Sequence, residues 1–280
     1  MLELKKELKN IKDSFSRISE IVYQTPVLSS ISINKALKAD ITFKAECLQE
    51  TGSFKLRGAS SAISVLSKEE KSRGVVAFSS GNHAQGIAYA SRELGTSAKI
   101  VMPSDAPKIK IRKTQEYGAE VIFYDRDEDN REEIGFSIAM EEGRKLIKPF
   151  DDLNVIYGQG TAALEVMDEV DTKFDMSVVC CSGGGLAAGT GIVLKNSLSD
   201  CQLYTAEPKD WNDHEKSFLQ NNIVSIKTKK HGMCDALENP QPGEITFRIN
   251  SALNTKGLSA NDKYIICLLY TSPSPRDTAL

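Results

Sequence analysis

The chain has 280 residues, 40% hydrophobic and 26% charged, which is the composition of a globular protein with room for one large or two medium domains. With 35 basic against 38 acidic residues the net charge is −3, which argues against a nucleic-acid or anionic-membrane partner. No apolar run reaches the length of a membrane span and the N-terminus lacks secretory features, so a cytoplasmic location is the default expectation.

In chain order, Leu4, Leu8 and Ile11 fall at helical spacing among lysines and glutamates and predict an amphipathic N-terminal helix. ITFKAE (41–46) reads as a strand and LRGASSAISVLS (56–67) as a helix. VVAFS (75–79) reads as a strand that runs into a helix over 81–95, closed by Gly95. Strands follow at 98–103 and 119–124, separated by a lysine-rich helix around 107–117. Polar helices are predicted over about 130–147 and 160–169, then a buried strand at 175–181, a small-residue helix at 184–195 and a strand at 201–207. This alternation predicts an α/β fold with parallel-rich sheets flanked by helices. From about residue 264 the chain reads as an apolar burst and a Ser/Pro-rich tail without helical or strand period. Cys47, Cys180, Cys181, Cys201, Cys234 and Cys267 form no CxxC pair, and with His83, His214 and His231 scattered no zinc spacing arises.

Three short stretches carry candidate chemistry. TGSFKLRG (51–58) sets Lys55 just after Phe54. Taken alone it reads as a surface lysine in a helix's first turn, whereas a reactive amine needs a confined site. SSGNHAQG (79–86) lies where a strand gives way to a helix, a place where backbone amides favour a carboxylate. An ordinary turn capped by Asn82 explains it equally well. CSGGGLAAGTG (181–191) follows a buried strand and opens a helix. It matches neither GxGxxG nor the P-loop pattern, so it suits one small phosphate group better than a nucleotide.

In this order the stretches resemble the fold-type II pyridoxal-phosphate enzymes, specifically the serine/threonine dehydratase (threonine ammonia-lyase) and serine racemase group, related in fold to the tryptophan synthase β chain. The resemblance runs from about residue 15 to about 263 and includes TPVLSS (25–30), YGAEVIFY (117–124), PFDDLNVIYGQGTAALEV (149–166), SGGGL (182–186), AEP (206–208) and PGEITF (242–247). It implies that Lys55 forms a Schiff base with pyridoxal 5'-phosphate and moves the substrate's α-proton, with Phe54 walling the ring. It implies a phosphate cradle of Ser182, Gly183, Gly184, Gly185 and Leu186, and a hydrogen bond from Asn82 to the cofactor's phenolic oxygen. Ser79, Ser80, Gly81 and His83 line the substrate-carboxylate pocket in this reading, and Ser80 occupies the position of the second acid/base in racemases. Asp235 matches an aspartate near the substrate hydroxyl, although Ala236 stands where the family has glycine. Glu207, Asp213 and the carbonyl near Trp211 match a divalent cation site for Mg2+ or Ca2+.

The implied architecture is a larger cofactor domain, 1–73 with 149–280, and a smaller mobile domain, 74–148, in a homo-oligomer, dimeric or tetrameric. The implied reaction is deamination of L-threonine or L-serine to a 2-oxo acid and ammonia, with serine racemase or 3-hydroxyaspartate dehydratase as alternatives. Residues from about 264 do not resemble the family. The chain therefore reads as shortened at its C-terminus, which leaves an inactive fragment, or a nucleotide-binding module, as rival expectations.

Overall fold

The structure, a computed structural model, describes residues 2–79, 81–171, 173–228 and 230–271, the last three as backbone. Helix α1 (Leu4–Ile18) is followed by β1 (Val27–Ser29), α2 (Ile31–Leu37), β2 (Thr42–Lys44), α3 (Lys55–Ser64) and α4 (Lys68–Arg73). Next come β3 (Val75–Phe78), α5 (Asn82–Glu93), β4 (Ala98–Pro103), α6 (Lys108–Glu116), β5 (Glu120–Tyr124), α7 (Arg131–Glu142) and β6 (Lys145–Leu146). The chain continues with α8 (Leu153–Glu169), β7 (Met176–Cys180), α9 (Gly185–Ser197), β8 (Gln202–Pro208), α10 (Asp213–Gln220), α11 (Glu244–Ala252), β9 (Lys256–Ala260) and α12 (Asp262–Thr271).

Two parallel sheets carry the α/β pattern, ordered β5-β4-β3-β6 and β7-β8-β9, and a short antiparallel pair, β1-β2, stands apart. Central strand β3 is buried throughout, as its continuous apolar run requires. Val75 and Ala77 face a core with Leu56, Ile63, Ile87 and Ile100. Val76 and Phe78 face the opposite way, against Val101, Tyr124 and the apolar side of α7. Helix α1 does bury an apolar stripe. Ile11 packs with Ile156 of α8 and Ile192 of α9, and Leu4 and Leu8 cover their edge.

Several predicted boundaries move, each for a local reason. The helix predicted over 56–67 stops at Ser64, because Ser67 forms a capping box with Glu70 and starts α4 instead. The helix predicted over 130–147 ends at Glu142. Gly143 takes the left-handed conformation there, and Lys145–Leu146 pair with β3 as a further parallel strand. Helix α8 begins at Leu153, well before 160, with Asp152 accepting the Asn154 and Val155 amides. Gly158 looks like a breaker in sequence but is a contact point. A Cβ there would collide with the carbonyl of Arg57, so its absence lets α3 and α8 pack closely. The predicted strand 41–46 is only the three residues of β2. From Asp262 to Thr271, where the sequence shows no period, the chain is helical. The acidic first turn and the leucines and isoleucines satisfy local helix preference there. Among the described residues no helix is long and apolar enough to cross a membrane.

Candidate active site

Lys55 is the first residue of α3, at the end of a tight turn in which Gly52 has φ of +76°. Its ammonium donates to the carbonyl of Pro149 at 2.7 Å and lies 5.2 Å from the centre of the Phe54 ring. Burial lowers its pKa to about 8, with Cys181 acting weakly in the opposite direction. Beneath it, on the first turn of α5, His83 is buried. Desolvation, then the Lys55 charge, push its pKa down to about 3, so the imidazole is neutral. His83 Nε2, 3.2 Å from the Ile147 carbonyl, therefore carries the proton it donates there.

The glycine stretch joins β7 to α9 and reaches the same Pro149–Phe150 segment from the other side. Gly183 lies flat against the Phe150 ring, so closely that any Cβ would overlap it. Gly184 has φ of +92°, and a Cβ on it would sit 2.6 Å from Cε1 of His214. The carbonyls of this loop are already engaged. Gly183 accepts from the Thr246 hydroxyl at 2.6 Å and Gly184 from Asn250 Nδ2 at 3.2 Å. What remains to offer is the first-turn N–H groups of α9 at the positive end of its dipole, which is an anion site. Gln159 of α8 is fully buried beside it, neither atom of its amide has a hydrogen-bond partner, and a Cβ on Gly185 would lie 2.6 Å from its Oε1. An unpartnered buried amide of this kind fits a bound polar group.

A family model for pyridoxal-phosphate dependent enzymes matches residues 18–269. The chain belongs to that family. It is 44% identical over 240 residues to L-threo-3-hydroxyaspartate ammonia-lyase of Saccharomyces cerevisiae, covering 86% of this chain and 73% of the relative. It is 40% identical over 262 residues to serine racemase of Schizosaccharomyces pombe, covering 93% and 80%. The solved structure of threonine deaminase isoform 2 from Solanum lycopersicum superposes with a TM-score of 0.87 at 30% identity, covering 92% of this chain and 74% of that one. Within the pyridoxal-phosphate family the fold is therefore that of the serine/threonine dehydratase and racemase group. The residues present fit its cofactor: an enclosed amine of lowered pKa, an anion cradle and an unpartnered amide meet at one place.

The other predicted residues fall as follows. Ser79 follows β3 directly, and its hydroxyl accepts from the Gly81 amide at 3.2 Å. Gly81 is buried, and Asn82 opens α5. Ser80 lies outside the described residues. Ser182 and Leu186 are partly buried at either end of the glycines. Asp235 is largely exposed, and its carboxylate accepts from Lys110 Nζ of α6 at 3.0 Å.

Glu207 and Asp213 stand behind the glycine loop, on the side of His214. Glu207 accepts the His214 and Glu215 amides, both at 2.9 Å, and so caps α10. Both oxygens of the buried Asp213 lack a hydrogen-bond donor. Burial raises the pKa of both acids, and for Asp213 the Glu207 charge adds to it. Two such carboxylates fit a hard cation, although among the described residues no cluster of three or more His, Cys, Asp or Glu gathers there. The Trp211 indole donates to the Lys230 carbonyl at 2.9 Å.

Three residues at this site go unmarked in the sequence reading: Phe150, Gln159 and Lys110. Phe150 and Gln159 lie inside the quoted 149–166 stretch, where an unpaired glutamine between two helix glycines was the available signal. Lys110 sits in the lysine-rich helix expected around 107–117, where one lysine among several carries no signal of its own.

Proposed function

We propose that this chain deaminates a small hydroxy amino acid, L-threonine or L-serine, by eliminating the β-hydroxyl to give a 2-oxo acid and ammonia. The observation that carries the reading is the enclosed Lys55 amine set against the glycine cradle. Bound pyridoxal phosphate supplies an electron sink that makes the substrate's α-proton removable. Lys55 would hold that cofactor covalently, with its phosphate on the first-turn amides of α9. A lysine with a pKa of about 8 keeps a useful fraction of free amine near neutrality, so Lys55 can take the α-proton. The amides opening α5 would bind the substrate carboxylate, with His83 of the same turn neutral, so the backbone carries that contact. The β-hydroxyl leaves as water with one proton. Water then adds back at the α-carbon as ammonia departs, which balances serine against pyruvate.

A second reading, 3-hydroxyaspartate as substrate, is favoured by one observation. The Lys110 ammonium lies next to the substrate turn, where a Cβ on Gly81 would be 3.2 Å away. Racemisation would draw on Ser80 as the second acid/base, and the cation would sit on Glu207 and Asp213.

The test loads the purified chain with pyridoxal phosphate and follows 2-oxo acid from L-serine, L-threonine and L-threo-3-hydroxyaspartate, together with the chirality of recovered serine. Lys55→Ala should abolish both the visible absorbance of covalently held cofactor and 2-oxo acid release. Absorbance without release from any of the three substrates would refute the deamination reading, and D-serine forming faster than pyruvate would replace it with racemisation.

A further inference from the structure

Lys110 belongs to α6, yet it reaches the substrate turn on one side and Asp235 on the other, a residue 125 positions away. Its stem is mostly covered, with the side chain 25% exposed, whereas Asp235 is 70% exposed. The ion pair is therefore half open to water, and such pairs contribute little and exchange easily. Lys110 is a covered cation with a replaceable partner, placed between the α-carboxylate turn and the acid expected near the substrate's β-carbon.

A monocarboxylic hydroxy amino acid gives this cation nothing to do, because the amides of α5 already meet its one carboxylate. A substrate with a second carboxylate on the β-carbon faces a different arrangement. Asp235 alone would repel it, and a like-charge contact of that kind excludes a ligand. Lys110 can remove the repulsion only by leaving Asp235 for the incoming carboxylate. We infer that Lys110 is the specificity residue by which this site admits amino acids carrying a second carboxylate, exchanging Asp235 for the substrate's own carboxylate. The inference rests on the deamination reading for where the substrate lies.

The consequence is a pair of opposite effects that a merely structural ion pair would not produce. In protein loaded with pyridoxal phosphate, succinate should raise the melting temperature more than butyrate does. Lys110→Met should erase that preference, Lys110→Arg should keep it, and Asp235→Asn, which frees the cation and removes the repelling charge, should enlarge it. In the activity assay, the ratio of kcat/KM for 3-hydroxyaspartate over L-serine should fall about 10- to 100-fold in Lys110→Met, the range for losing one charged hydrogen bond. An equal fall on both substrates would overturn the inference, because Lys110 would then serve the shared α-carboxylate. An unchanged succinate preference in Lys110→Met would overturn it as well. If the parent protein releases no 2-oxo acid from either substrate, the deamination reading fails, and the succinate comparison still decides the role of Lys110.

Discussion

Arg57, two residues past Lys55 on α3, grips Glu165 of α8 through hydrogen bonds of 2.6 and 2.8 Å and is itself fully buried. The guanidinium also meets both oxygens of Glu46 at 2.8 Å, the Tyr23 carbonyl at 3.1 Å and the Thr161 hydroxyl at 3.2 Å. Burial acts to lower its pKa, but these acidic partners outweigh it and hold the guanidinium charged. Lys44 adds a second cation to Glu165 at 2.7 Å. This fork fixes the rotation of α3 about its axis and hence the direction in which Lys55 leaves the helix.

Arg57→Met should therefore leave Glu165 with Lys44 alone and Glu46 with only the Thr25 hydroxyl, and destabilise the chain by about 3 kcal/mol, the lower end of the cost of breaking a buried pair from one side. Arg57→Lys should recover only part, because an ammonium cannot make the two-pronged contact. Urea denaturation of the three proteins measures this. A loss below about 1 kcal/mol for Arg57→Met would show that water reaches the acids and the network is not buried in solution.

Lys55 should leave a mark on stability before any cofactor binds. Its folded pKa is about 8 against 10.5 in the unfolded chain. Below the folded value both states are protonated, and the buried charge costs the native state a constant amount. Between the two values the unfolded chain holds a proton that the folded one has released, so stability rises with pH through that window. Lys55→Met removes the cost, and the cofactor-free variant should be more stable than the parent near pH 7 by about 2 kcal/mol, discounted for partial exposure. The gap should close as pH approaches the unfolded value. Denaturation curves across that range check it, and a pH-independent gap would assign the effect to packing instead.

How far the sequence revealed these features depends on the distance over which each one is determined. β3 running into α5, and β7 into the glycine turn and α9, are local patterns, an apolar run followed by turn residues and a small-residue helix, and both lie close to where the residues place them. The strand expected to be buried over 175–181 is not: β7 is the edge strand of its sheet, and Met176, Val178 and Cys180 are exposed. The Lys55 position was visible only because three stretches agree, since alone it resembles any first-turn lysine. Arg57 shows the opposite limit. Between Leu56 and Gly58 it looks like an ordinary polar helix residue, and its burial is decided by Glu46 and by Glu165, 108 positions away. α11 and β9 were missed: the apolar spacing of α11 is short, Ile245, Ile249 and Leu253, and KGLSA of β9 lacks strong strand formers. Gly257 of β9 is instead selected by the backbone of α10 lying against it. Lys110 and Asp235 meet only through folding, so their pairing has no local signal.

The relation between Asp213 and Glu207 gives the last prediction. Asp213 is enclosed, its oxygens lack a donor, and the neighbouring Glu207 repels its charge, while Glu207 is already committed to capping α10. The native chain can relieve this in two ways, by protonating Asp213 or by taking up a hard cation between the acids. If a cation binds, Mg2+ or Ca2+ at about a hundred times its dissociation constant should add about 2.7 kcal/mol to stability. For a chain of this size that is a rise of roughly 5–10 °C in melting temperature. Asp213→Asn mimics the protonated acid. It should melt above the parent when chelator is present, and it should gain nothing from either metal. Thermal melts of both proteins with chelator, Mg2+ and Ca2+ separate the two routes. A parent protein indifferent to both metals, with Asp213→Asn still the more stable, would leave protonation as the way this acid is accommodated.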